Sequence, residues 1–442
     1  MTTLPAPFTL RQPLAPTVQQ VDLGAIPYIV RMGEFGVRLD PTKLTALSLD
    51  LEARIEREMY AAWGLAGGMF NLSSSKQKAQ ILYKRLGLPT QKRTKGGGAF
   101  STAEGSLALI KDLHPIVPHI LEYGRLEKLK NTYVDTLPGF VGADGRIHPR
   151  WQGTRVPSGR LSCSDPNATN QPVRDSEGKE IRKAFIPEDG WEFLAVDLGQ
   201  IELRGLAHYS QDDWLVSAFF NRRDIHKETA GELFDLPLES IDDDLRFVGK
   251  TCNFGVVYGL SPVGLVDVIP HRYRNPQIHT VEWATKFLEN YFNRRPGIKN
   301  YTQKTIEFTR KNGYVEDAFG RRRWIPEVNS SQRVIQAAGE RQGINHPIQS
   351  LAAGIIKLAM GWLVGYAGEG ILDPLISIGI VKPIIQVHDE LIFEVRKGYR
   401  ETVGYMVRDG MVGVAPWMRV PLTADVEVGE SWGELKKVKL AA

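Results

Sequence analysis

Two aspartates 192 positions apart, Asp197 and Asp389, each sit where a short apolar run meets a polar break. Phe193-Leu194-Ala195-Val196 leads into Asp197, while Ile384-Ile385-Gln386-Val387-His388 leads into Asp389 and Leu391-Ile392-Phe393 follows it. Runs of this length read as buried strands that stop at a turn. Hard divalent ions take oxygen ligands, and Mg²⁺ commonly uses one or two carboxylates beside substrate phosphates. Two aspartates at adjacent strand ends are what a two-metal site for phosphoryl transfer requires. Two unrelated surface acids at turns would look the same in isolation, so the surrounding residues decide.

At 442 residues the chain exceeds what one compact core organises, and two or three subdomains are expected. Apolar content of 42% and charged content of 24% describe an ordinary globular protein, and no apolar run reaches membrane-spanning length. Met1 to Gln20 is Pro-rich, with Arg11 its single basic residue, and lacks the apolar centre of a signal peptide. It reads as a flexible leader, residues 1–21. Two cysteines, Cys163 and Cys252, exclude a disulfide framework and a Cys-based zinc site. A net charge of +4 does not announce a nucleic-acid binder. Three basic runs do more: Lys92-Arg93-Thr94-Lys95 before three glycines, Arg125 to Lys130, and Arg321-Arg322-Arg323. Such runs are usually solvated faces, and beside a candidate metal site they also suit contact with a phosphate backbone.

Residues 42–140 read as mostly helical. Leu44 to Trp63 carries helical apolar spacing, Ser73-Ser74-Ser75 supplies capping hydroxyls for a helix over Lys76 to Leu86, and further helices are expected around 103–113 and 116–134. Turn residues at 138–145 precede a strand near Arg146-Ile147-His148, and glycine, proline, serine and asparagine make 151–174 an extended loop region. Helices return from 203 to 310, and two strands between 383 and 395 flank His388-Asp389-Glu390 as a hairpin. A strand-bearing centre with helical appendages is an α+β class.

Arg246, Lys250, Phe254 and Tyr258 recur every four residues ahead of Gly259. Four helical steps overshoot a turn by only about 40°, so the four side chains form one stripe. Two cations followed by two rings suit a triphosphate with its base or sugar packed alongside. An amphipathic helix with its charged end in water and its rings in the core fits the same spacing.

Val196-Asp197 through Gln200-Ile201-Glu202-Leu203-Arg204 resembles motif A of the family A DNA polymerases, and Val387-His388-Asp389-Glu390 resembles their motif C. Arg246, Lys250, Phe254, Tyr258 and Gly259 match motif B at every spacing. Gly159-Arg160-Leu161-Ser162, Asp165-Pro166-Asn167, Asn170 and Arg174 resemble the family's template- and primer-contacting loop. Asp224-Ile225-His226, Gly313-Tyr314-Val315, Gly320-Arg321-Arg322, and Glu340-Arg341 through Asn345 and Gln349 also fall in family order, and the likeness runs from about residue 22 to 434.

The resemblance implies a right-hand fold: an antiparallel palm sheet with a helical thumb and helical fingers. The expected layout is thumb and palm-flanking segment 22–150, first palm part 151–210, fingers 211–324 and second palm part 325–442. It implies a template-directed DNA polymerase adding dNTPs to a primer, with primer-template DNA as partner and two Mg²⁺ ions as cofactor, Mn²⁺ being a second candidate. Asp197, Asp389 and the backbone carbonyl of Leu198 would hold the metals, with Glu390 in support. Arg246 and Lys250 would neutralise phosphates, and Lys250 would protonate the leaving pyrophosphate. Gln200, His226, Phe254 and Tyr258 would complete the nucleotide site, with Glu202 pairing with Tyr258 and blocking a ribose 2′-hydroxyl. Arg160, Asn167, Asn170, Arg174, Arg341, Asn345, Gln349 and His388 would contact DNA, largely without reading its sequence. The likeness further implies a monomeric, cytoplasmic protein of bacterial, phage or plasmid origin, near the nucleoid, with replication accessory proteins as candidate partners.

Three departures stand out. Most of the family has tyrosine and serine after the motif A aspartate, where this chain has Leu198 and Gly199. The stretch from Val266 to Pro276 reads as an insertion, more simply a surface loop than a template contact. About 20–40 residues precede the thumb, too few for a nuclease domain, so neither proofreading nor 5′-nuclease activity is expected of this chain. A single-subunit RNA polymerase shares the two aspartates and the cationic helix, and Glu202 argues against it. A catalytically silent nucleic-acid-binding module is disfavoured by Asp197, Asp389, Lys250 and Arg246 standing together.

Overall fold

The computed structural model describes residues 10–11, 14–90, 93–94, 98, 100–172, 176–269, 273, 275, 278–365 and 368–439. Arg174, much of the 266–276 stretch and most of the first basic run lie outside the described residues.

The centre is a five-stranded antiparallel sheet of β1 (Trp191–Leu198), β2 (Val381–Val387), β3 (Glu390–Arg396), β4 (Ala424–Gly429) and β5 (Lys436–Lys437), in the order β5-β4-β1-β3-β2. The central strands read as unbroken apolar runs because both faces of the sheet are covered. Alternate side chains go to opposite faces. Leu194, Val196 and Leu198 of β1 join Leu391, Phe393 and Val395 of β3 in one core, whereas Phe193 and Ala195 join Ile392 in another. A bulge between Pro383 and Ile385 lets Ile384, Ile385 and Val387 all serve that second core. The 383–395 hairpin expected from sequence is β2–β3, with Val387 paired to Glu390.

The helices that lead up to this sheet include α1 (Val18–Gly24), α2 (Ile26–Phe35), α3 (Pro41–Ala66) and α4 (Ile116–Leu129). The α3–α4 pair feeds Leu44, Leu51, Leu126 and Leu129 into the second core. Further out it builds its own, with Ala62, Ala66, Ile116, Val117 and Ile120 around Phe70 and Leu82. Ser74 caps the short helix Ser75–Ala79, which continues as a π-helical turn over Gln80–Arg85. The helix expected over 116–134 likewise is α-helical only to Leu129 and then turns π-helical. The helix expected at 103–113 shrinks to Glu104–Leu107 plus a 3₁₀ turn.

Seven helices complete the part used below: α5 (Ile201–Ser210), α6 (Ile225–Phe234), α7 (Asp243–Val257), α8 (Val281–Arg294), α9 (Pro296–Asn312), α10 (Arg333–Leu363) and α11 (Arg400–Gly413). The 31-residue α10 runs through Pro347 and lays Leu351, Ile355, Ala359 and Leu363 into the sheet core.

The stretch expected to be a flexible leader is partly helical. Thr17 and Gln20 form a reciprocal capping box at the start of α1, and Val18 N–H donates to Phe319 O at 3.0 Å. Asp22 on α1 accepts from Lys357 Nζ of α10 at 2.6 Å and from Arg321 at 2.7 Å. Burial alone would raise the Asp22 pKa, but these two hydrogen bonds outweigh it and hold the carboxyl below its ordinary value. Lys357 is 2% exposed, so removing its counter-ion leaves a buried, unbalanced charge. Asp22→Ala is therefore expected to destabilise the protein by about 3–5 kcal/mol in denaturant unfolding, and a loss under about 1 kcal/mol would contradict that account.

Candidate active site

The two aspartates meet because their strands do. Asp197 is cross-strand from Glu390 on one side and from Asp425 on the other. The backbone N–H of Leu198 donates to the backbone carbonyl of Asp389 at 3.1 Å, tying the end of β1 to the β2–β3 turn. That turn has only two residues, His388 and Asp389, and His388 takes a φ of +50°. A two-residue hairpin needs positive φ at its first position, a conformation uncommon for a side chain other than glycine. The Gln386 side-chain amide holds it by donating to His388 O. The break after β1 is similar: Gln200 has φ +55°, and α5 begins at the next residue.

Three carboxyl groups here sit above their ordinary range. Asp197 keeps one side open to solvent, which screens part of the effect. Partial burial, then the Asp425 and Glu427 carboxylates, raise its pKa to about 6. Burial, then Glu202 and Asp197, raise Asp389 to about 7, and burial with Asp197 raises Glu390 to about 7. Among the described residues no hydrogen-bond donor or cation pairs with any of the three side chains. Crowded carboxylates without a protein donor suit a divalent cation, and Asp197, Asp389 and the Leu198 carbonyl supply hard oxygen donors. Among the described residues, no three His, Cys, Asp or Glu side chains cluster tightly enough to hold an ion alone. That donor set fits an ion that draws its remaining ligands from substrate phosphates and water.

Next to the carboxylates, Glu202 in the first turn of α5 accepts from Arg160 at 2.5 Å and from the Tyr258 hydroxyl. Gln349 of α10 donates to the same hydroxyl at 3.4 Å. Burial, then Glu202, push the Tyr258 pKa well up, so it stays a neutral donor. His388 projects into solvent near this group, with its pKa lowered by burial and by Arg160.

On α7 the two readings of the stripe separate. Val248, Cys252 and Val256 face one core and Leu245 a small neighbouring cluster with Ala230 and Ile241, leaving Arg246 and Lys250 on the open side with a half-buried Phe254. Arg246 pairs with Asp224 at 2.8 Å, and Asp224 also accepts the His226 and Lys227 N–H groups as the N-cap of α6. His226 lies 6.0 Å from Phe254, ring centre to ring centre, and burial followed by Arg246 lowers its pKa to about 4, so it is neutral near pH 7. Helices α6 and α7 approach closely because residue 249 is glycine: a Cβ there would lie 2.1 Å from His226 O. Gly259, at φ +72°, similarly makes room for the Arg341 side chain.

Several of the other expected contact residues also have local structural roles. Asn167 uses its side-chain carbonyl to cap the turn at Ala168–Asn170, and the Asn170 backbone accepts from Tyr133. Asn345 lies one helical turn before Gln349, with a buried Oδ1 that has no hydrogen-bond partner among the described residues. Two of the basic runs are largely tied down: Arg125 binds Glu122 and Glu177, Lys130 binds Asp135, and Arg321 binds Asp22. Sequence reasoning quoted Arg204 only within the motif A likeness, without a role, and passed over Thr423, Asp425 and Glu427. The alternation Asp425-Val426-Glu427-Val428 was the readable signal for the last two.

The model of DNA polymerase family A matches residues 41–434. The chain belongs to that family. It is 41% identical over 410 residues to the thermostable DNA polymerase I of Thermus thermophilus, covering 92% of this chain and 47% of that protein. The DNA polymerase I of Pseudomonas aeruginosa is 38% identical over 423 residues, covering 95% and 44% respectively. The chain thus spans about half the length of the curated relatives it matches. A solved structure, the POL domain of Pol1 from M. smegmatis in complex with DNA primer-template and dNTP, superposes with a TM-score of 0.83 at 34% identity. It covers 93% of this chain and 70% of that one. The right-hand polymerase fold expected from the motifs is the fold of this family A chain.

The raised carboxyl pKa values have a measurable consequence. A folded-state pKa above the unfolded value means that ionisation penalises the native state: the penalty is absent below about pH 4, grows to about pH 7 and is full above it. Asp389→Asn is expected to make the metal-free protein more stable at pH 8 by about 1–3 kcal/mol after solvent screening. The gain should vanish in unfolding curves taken near pH 4, and a variant no more stable than wild type at pH 8 would contradict it.

Proposed function

We propose that this chain is a template-directed DNA polymerase core that joins a dNTP to a primer 3′-hydroxyl and releases pyrophosphate. The observation that carries the reading is the juxtaposition of unpaired carboxylates at two locked strand ends with the open cationic face of α7. Lys250 is close enough to lower the Asp197 pKa against its carboxylate neighbours. The neighbouring Pol1 structure was solved with primer-template and dNTP, which supports these as the partners. In this reading the thumb lies in 22–150, the palm in 151–210 and 325–442, and the fingers in 211–324.

Two Mg²⁺ ions at Asp197, Asp389 and the Leu198 carbonyl, with Mn²⁺ as the alternative ion, would activate the primer hydroxyl and neutralise charge on the transferred phosphate and pyrophosphate. Every other role belongs to side chains of this chain. Arg246 exchanges Asp224 for the β- and γ-phosphates, and neutral His226 adds an N–H donor beside it. Lys250 carries the proton that the leaving pyrophosphate oxygen accepts. Phe254 and Tyr258 pack the base and sugar, while Gln200 and Glu390 flank the metal-binding carboxylates. Glu202, engaged by Tyr258 and Arg160, walls off the 2′ position, where an incoming hydroxyl would find no free partner. Arg160, Asn167, Asn170, Arg341, Asn345, Gln349 and His388 are the proposed contacts to primer-template DNA, and Arg174, outside the described residues, joins them by the motif likeness alone.

Primer extension with Mg²⁺ tests the reading directly. Asp197→Ala is expected to lower kcat by at least ~10³-fold, the loss of several kcal/mol of charge stabilisation, with primer-template affinity retained. Extension by this variant at a wild-type rate would refute the assignment. Phe254 has no hydroxyl to replace a missing 3′-OH. The wild-type protein should therefore incorporate dideoxynucleotides poorly, and Phe254→Tyr should improve their use by ~10²-fold in competition with dNTPs.

A further inference from the structure

Gly199 is not in the left-handed region, so backbone freedom does not explain a glycine there; space does. A Cβ on Gly199 would lie 2.9 Å from Thr423 Oγ1 and 3.6 Å from Thr423 O. The space beside the turn is thus filled by the side chain of a residue 224 positions away in sequence, just before β4. Thr423 also holds the turn through its backbone, accepting the Gly199 N–H at 2.8 Å. A β-branched threonine has little χ1 freedom with which to yield.

The hydroxyl is itself held. Arg204, one turn into α5, donates to Gly199 O at 2.7 Å, to Thr423 Oγ1 at 2.8 Å and to Pro421 O. Its guanidinium lies over the Phe219 ring at 4.5 Å, and the residue is 8% exposed. Burial lowers the Arg204 pKa to about 10, which still leaves it charged near neutrality. Among the described residues no carboxylate pairs with it. A buried cation without a counter-ion is costly. All its acceptors lie on two segments, the 199 turn and residues 421–423. It pins the first to the second, and the carbonyl one residue before Gly199 is the candidate metal ligand.

We propose that Arg204 and Thr423 are positioning residues for the Asp197–Leu198 turn, and that Gly199 and Thr423 are a matched pair whose fit sets divalent-ion affinity at the site. In this chain a threonine side chain from the β4 approach occupies the room that a side chain at 199 would need. The inference rests on the proposed metal-binding reading of Asp197, Leu198 and Asp389.

The test is a double-mutant cycle read by Mn²⁺ binding to the full chain, with free ion followed by electron paramagnetic resonance. Mg²⁺ half-saturation of primer extension is measured alongside. Outer-sphere partners of metal ligands typically control affinity by 10–100-fold. Gly199→Ala is expected to weaken Mn²⁺ binding about 10-fold. In the Thr423→Ala background the same change should cost less than about 2-fold, because its obstacle is gone. Thr423→Val, which keeps the shape but strands an Arg204 donor, should weaken binding at least about 5-fold, and Thr423→Ser should recover what valine loses.

Equal Gly199→Ala effects in both backgrounds, or valine and serine variants that bind alike, would overturn the proposal. So would a wild-type protein that binds no Mn²⁺. If Gly199→Ala does not fold, the valine and serine pair decides alone. Failure of the polymerase reading is seen separately, as wild-type protein that binds Mn²⁺ with this coupling yet extends no primer.

Discussion

The hydrogen bond from Leu198 N–H to Asp389 O is the constraint on which the site depends. It joins two chain ends of the sheet at the point where each stops being apolar. Upstream of it every β1 residue from Trp191 to Val196 is buried, and the register carries this order into β3 and β4. A one-residue slip would exchange the two faces, sending Phe193 and Ala195 into the wrong core and swinging Asp197 away from Glu390. The hydrophobic pattern that stabilises the sheet therefore also fixes where the carboxylates stand.

Helix α7 follows the same logic with a different period. Its buried stripe, Leu245, Val248, Cys252 and Val256, which serves two adjoining clusters, leaves Arg246 and Lys250 outward without any separate instruction. Gly249 lets α7 descend onto α6 until His226 lies beside Phe254. Asp224 serves both helices, capping one and pairing with the arginine of the other. A phosphate arriving at Arg246 competes with that single partly exposed carboxylate, a contact of modest strength.

What the sequence made legible was local. Four-residue spacing showed which face of α7 is cationic, and apolar runs ending in aspartate showed where strands stop. Both depend only on residues within a turn or a strand of one another. The Arg204–Thr423 contact spans 219 positions and leaves no local trace, since an arginine in an amphipathic helix reads as solvated. Asn167 carries a task that spacing did not show: its side-chain oxygen caps the turn at Ala168–Asn170. The ion pairs of the basic runs were legible only in part: Glu122 and Asp135 are local partners, whereas Glu177 and Asp22 come from distant segments. The end of the expected leader, from Val18, was misjudged by composition, since a capping box and the half-buried Asp22 that follows are enough to dock α1 in a Pro-rich neighbourhood.

The electrostatics of the site are unbalanced in a directed way. Negative charge collects on three strands, at Asp197, Glu390, Asp425 and Glu427, while Arg204, behind the turn, is used up on neutral oxygens. Lys437 pairs with Asp425 at 2.6 Å and offsets one of the four, which leaves the group around Asp197 under-neutralised. Lys250 of α7, Arg160 and Arg182 act on Asp197, Asp389 and Glu390 respectively, but none forms a direct ion pair with them. Direct ion pairs would have lowered the carboxyl pKa values; instead they are raised. Separation of this kind leaves room between the two groups for a ligand carrying both signs, and a divalent ion bound to a triphosphate has that character.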